Sequence, residues 1–131
     1  MHPADFDKLV ERACTRIPKP FRDRLENVAI VVEREPSPGQ LRAAGIRGGG
    51  TLLGLYEGRP LTDRSVFHSF AMPDRITIFQ GPHERLARDE ADLKRLVEET
   101  VWHEVAHYFG MDERRVRAAE ARRRRLRRRA T

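Results

Sequence analysis

Apolar residues recur at Phe6, Leu9, Val10, Ala13 and Ile17 with polar residues between them, the i, i+3/i+4 spacing of an amphipathic helix, and predict a helix over 4–16. Pro18 and Pro20 end or offset it, because proline lacks the N–H and its ring clashes with the preceding turn. A short helical turn over 21–25 is the expected continuation. The period then changes. Residues 28–33 (Val-Ala-Ile-Val-Val-Glu) form a β-branched run that stops before Pro36 and reads as a strand. Residues 36–51 hold two prolines and five glycines and read as a loop. They contain neither the lysine and hydroxyl residue of a Walker loop nor a G-x-G-x-x-G, so phosphate cradling is not expected there. A second strand is predicted over 51–57, closed by Gly58 and Pro60, and a third over 75–80, closed by Gly81-Pro82. From about His83 the pattern becomes helical. Leu93, Leu96, Val97, Thr100, Val101, Trp102, Ala106 and Phe109 mark a long amphipathic helix that stops at Gly110, a natural residue to follow a helix end. The elements predict an α+β domain with an N-terminal helix, three short strands and a long C-terminal helix.

Composition sharpens this picture. At 131 residues one core is expected, and 39% hydrophobic residues are enough to build it. Cys14 is the single cysteine, which excludes an intramolecular disulfide framework; it sits beside the apolar stripe of the first helix and reads as a small buried hydrophobe. No apolar run approaches the roughly 18–20 residues needed to span a bilayer. The first residues, Met1 to Asp7, have neither a basic start nor an apolar stretch, so no secretion signal is expected and the chain reads as soluble and cytoplasmic.

The net charge of +6 suggests nucleic-acid binding until it is divided. Residues 114–131 carry ten arginines and one acid, Glu120, for +9, and the remainder of the chain carries −3. The boundary expected from this shift puts a folded domain at 1–113 and an arginine-rich helix or disordered tail at 114–131. Such a tail could follow RNA or DNA phosphates, or meet an acidic protein or an anionic membrane surface. It has no aromatic residues for base stacking, so sequence-specific reading is not expected.

The chemistry lies just before it. His103-Glu104-Val105-Ala106-His107 is an H-E-x-x-H motif within the long predicted helix. Four residues apart, both imidazoles project from one face about one turn apart and can bind one tetrahedral zinc ion. Glu104 is then placed to act as general base on the water that zinc activates, and to pass the proton to the leaving amine. The motif arises by chance from this composition in about 2% of chains. It continues with Gly110 and Glu113, which lowers that chance to about 0.02%. Gly110 can end the helix and reverse the chain, letting Glu113 return as third protein ligand, with Asp112 as its rival.

The extended motif, together with the segments 52–58, 61–62 and 73–79, resembles the minimal zincin metallopeptidases, small bacterial single-domain proteins related to the gluzincins and metzincins. The resemblance spans roughly residues 5–117. It implies a mixed sheet packed on an N-terminal helix and the active-site helix. It also implies zinc held by His103, His107 and the residue matching Glu113, with Glu104 as catalytic acid/base. The family motif ends in aspartate where this chain has glutamate. Met111 lies inside the motif and reads as a packing residue rather than the methionine turn of metzincins. A peptide or protein substrate is expected to pair with an edge strand, for which 75–80 is the candidate. Tyr108, Tyr56 and His68 are oxyanion donors by type. His83 reads as part of a turn or helix start. The rival from another class is a zincin scaffold that binds nucleic acid or protein through its arginine tail.

Overall fold

The computed structural model describes residues 1–58 and 74–110, together with 118, 121, 122, 124 and 125. The first helix, α1 (Pro3–Thr15), starts where its pattern places it, with Pro3 in the first turn and the His2 ring nitrogen accepting the Ala4 N–H at 3.1 Å. Its apolar stripe, Phe6, Val10 and Ala13, is buried, and Ile17 extends it. The turn beyond Pro18 is α2 (Lys19–Arg22). Strand β1 (Val28–Glu33) matches its predicted span. The segment expected as pure loop contains α3 (Pro38–Ala43). Its start is a capping box: Ser37 Oγ accepts the Gln40 N–H, and the Gln40 side chain accepts the Ser37 N–H. The loop's glycine count hid this S-x-x-Q signal.

Among the described residues the sheet has three strands in the order β1-β3-β2. β2 (Gly54–Glu57) is shorter than expected: 51–53 are not strand, although Leu53 O accepts the Phe79 N–H at 2.9 Å. β3 (Asp74–Phe79) runs parallel to β1 and antiparallel to β2, with Ile76 opposite Ile30 and Tyr56. This corrects the expectation that 75–80 is an edge strand: β3 is the central strand. The physical reason is visible in its burial. Ile76, Thr77, Ile78 and Phe79 are all fully buried, so both faces of the strand are covered, as in an internal strand. Among the described residues the outer strand on this side is β2.

The long predicted helix is two helices. α4 (Gln80–Leu86) follows β3 directly, and α5 (Glu90–Tyr108) starts anew after an extended Ala87. Asp89 caps α5 by accepting the Asp92 N–H at 2.8 Å. The Asp92 carboxylate accepts the Arg88 N–H and pairs with Arg95, which together hold its pKa down at about 2. α5 ends at Phe109, and Gly110, at φ +75°, closes the turn by donating its N–H to His107 O at 2.8 Å. The core lies between α1, α5 and the inner face of the sheet. Phe6, Val10 and Ala13 meet Val97, Val101 and Val105, with Ile76 and Ile78 beneath. Among the described residues no helix is long and apolar enough to cross a membrane.

Candidate metal centre

α5 turns one face to the core and the adjacent face to a cleft of about 560 Å³. The far wall of the cleft is β2 with the residues just before it, from Thr51 to Tyr56. His103 and His107, four residues apart, present half-buried imidazoles with ring centroids 4.5 Å apart and planes at 71°. Ligand atoms of His103, Glu104 and His107 all lie within 4.8 Å of one another. Glu104 is almost wholly buried, and its Oε2 stands 3.6 Å from His107 Nδ1. That oxygen has no hydrogen-bond partner among the described residues. A buried carboxylate oxygen without a donor is costly. Two nearby imidazoles and an unsatisfied carboxylate make a donor set that suits a borderline divalent ion such as zinc and a water beside it.

The strand and the helix approach closely at Gly54. A Cβ built there would lie 2.7 Å from Thr100 Cγ2 and 3.1 Å from Glu104 Cγ. Glycine inside a strand is the sequence signature of such a close approach. Here it sets the terminal strand of the sheet directly against the Glu104 side chain. Beneath the cleft floor lies His83, fully buried in the first turn of α4. Its Nδ1 donates to Phe79 O at 2.7 Å, and its Nε2 is 2.9 Å from Thr100 Oγ1. Desolvation holds the His83 pKa below the usual imidazole value. It supports Thr100 from within the short helix α4, in line with the turn or helix start read from its sequence context.

The two tyrosines considered as oxyanion donors have other work. Tyr108 is fully buried, and its hydroxyl donates to Glu26 O and accepts the Glu26 N–H, anchoring the chain before β1. This removes it from the cleft. Tyr56 lines the cleft and donates its hydroxyl to the buried Asp74 carboxylate at 2.7 Å. Glu113, Asp112, Met111 and His68 lie outside the described residues. Sequence reasoning does not single out Gly54, Thr100, Asp74 or Glu99 as parts of the site. Only Gly54 carries a legible signal, since the others gain their position from the packing of α5 on the sheet.

A family profile of zincin-like metallopeptidases matches residues 25–123, about three quarters of the chain. The chain belongs to the zincin-like metallopeptidase family. Comparison with curated proteins gives no match. Among solved structures, this zincin-like chain is similar to a conserved hypothetical protein of Thermus thermophilus, at 27% identity and a TM-score of 0.55. That similarity covers 83% of this chain and 94% of the other. The mixed sheet with its long helix 90–108 is the minimal zincin architecture, and zinc binding is what the family implies for the His103–Glu104–His107 cluster.

Proposed function

We propose that this protein is a zinc-dependent metallopeptidase, with His103, His107 and Glu113 holding the metal and Glu104 moving protons. The observation that carries the reading is the Glu104 carboxylate, buried and unsatisfied at Oε2, beside two imidazoles that open onto a cleft. Zinc bound there would supply Lewis acidity and lower the pKa of a water to about 7. Glu104 Oε2 takes a proton from the attacking water and returns it to the amide nitrogen as the C–N bond breaks. The burial of Glu104 keeps bulk water from competing for that oxygen. An extended substrate would add to the sheet at β2, the outer strand that also lines the cleft, rather than at 75–80.

Metal analysis of purified protein should give about one zinc per chain, and a peptide-library digest should show cleavage that a chelator removes and zinc restores. A normally folded, zinc-free protein from a metal-replete preparation overturns the reading. Gly54 supplies a second check. Ordinary carbon contacts need about 3.5–4.0 Å, so an added methyl at 2.7 Å from Thr100 forces β2 and α5 apart by roughly 1 Å. Misplacement on that scale can cost about 100-fold in rate. Gly54→Ala is therefore expected to lower kcat/KM by at least about tenfold while its circular dichroism stays native.

A further inference from the structure

We propose that Arg124, bonded to Glu99 in the cleft wall, selects peptides bearing an acidic side chain. The proposal rests on the peptidase reading above and adds a substrate class to it. Ala121, Arg122, Arg124 and Arg125 are helical, and Arg124 Nη1 donates to Glu99 Oε1 at 3.3 Å. Glu99 lines the cleft one helical turn before His103. Arg124 therefore reaches the cleft wall from the stretch that reads in sequence as an arginine-rich helix or disordered tail.

Arg95 Nη1 lies 3.1 Å from both Glu99 oxygens, while its Nε and Nη2 are committed to Asp92 Oδ1. Arg88 pairs with the same Asp92 at 3.5 Å. Glu99 thus bridges Arg95 and Arg124. Arg124 keeps open donors. Its Nη1 is held by Glu99, its Nε and Nη2 make no hydrogen bond among the described residues, and its side chain is 38% exposed. A guanidinium fixed at one corner with the rest of its donor fork open matches a carboxylate. A basic side chain at the same place would meet the guanidinium and be repelled. Four residues of helix advance about 6 Å, and an extended peptide advances about 3.3 Å per residue. The preferred acid thus falls about two residues from the bond to be cut.

The test uses the full-length, zinc-loaded chain carrying Glu104→Gln, so that bound peptides survive. Fluorescently labelled decapeptides, neutral except for one Glu or one Lys moved through the sequence, are titrated by anisotropy at low salt. At the responsive position Glu should bind about three- to fivefold tighter than Lys, the range of an exposed ion pair. Arg124→Gln should erase the difference and Arg124→Glu should invert it, whereas Lys8→Glu, a matching charge change on exposed α1, should leave it intact. An unchanged ratio in both Arg124 variants overturns the proposal. So does an oligonucleotide that binds more tightly than the acidic peptide through Arg124 while the peptide ratio stays at one. Binding with this preference by a chain whose wild type cuts no peptide overturns the peptidase reading alone. Cleavage by the wild type, with no Glu-over-Lys preference in binding, overturns this proposal alone.

Discussion

Glu104→Gln should lower peptide hydrolysis by about 10²–10⁴-fold while the protein keeps its zinc. Glutamine has nearly the volume and shape of glutamate, so the almost fully buried site can accept it without repacking. It cannot take a proton at neutral pH. The substitution therefore removes proton transfer and leaves the His103 and His107 imidazoles where they are. The experiment also separates two roles that geometry alone leaves together, because a Glu104 oxygen lies within 4.8 Å of donor atoms on both histidines. Zinc content by elemental analysis and turnover on a cleaved peptide are measured on the same sample. Activity lost with zinc retained identifies Glu104 as the proton carrier. Zinc lost in parallel would make Glu104 a ligand instead and sink the assigned role.

Phe6→Ala is the substitution with the largest expected effect on stability, about 3–5 kcal/mol. The ring is fully buried, lies in the core cluster with Val97 and Val101, and sits 5.7 Å from the His83 imidazole. Removing it leaves a cavity between α1 and the helix that carries the site. Domains of this kind have about 5–15 kcal/mol in total, so the variant should unfold at a markedly lower urea concentration. α1 lies outside the segment 25–123 matched by the family profile, yet it supplies Phe6, Val10 and Ala13 to the core. A cost under about 1 kcal/mol would mean that α1 is not part of the cooperative unit.

The legible features share one property: they depend on neighbours close in sequence. The stripe of α1, the β-branched run of β1, the glycine that ends α5 and the H-E-x-x-H spacing are all of this kind. Helical geometry alone brings His103 and His107 to one face. The capping residues that divide α4 from α5 are equally local, but Asp89 and Asp92 lie inside a strongly helical composition that conceals the break. The strand order is not local. The alternation of 75–80 identifies a strand, and only its pairing with β1 on one side and β2 on the other makes it central.

From sequence alone followed the α+β class, the helix bearing the motif, and the chemistry of two imidazoles and a carboxylate in one turn. The tertiary structure decided that Tyr108 anchors the chain before β1, that β2 walls the cleft, that Glu104 is left without a donor among the described residues, and that an arginine 25 residues beyond Glu99 returns to it. The division has a physical cause. Side-chain spacing along one helix is set by covalent geometry, whereas burial, strand order and long-range ion pairs are set by which surfaces the whole chain can cover at once.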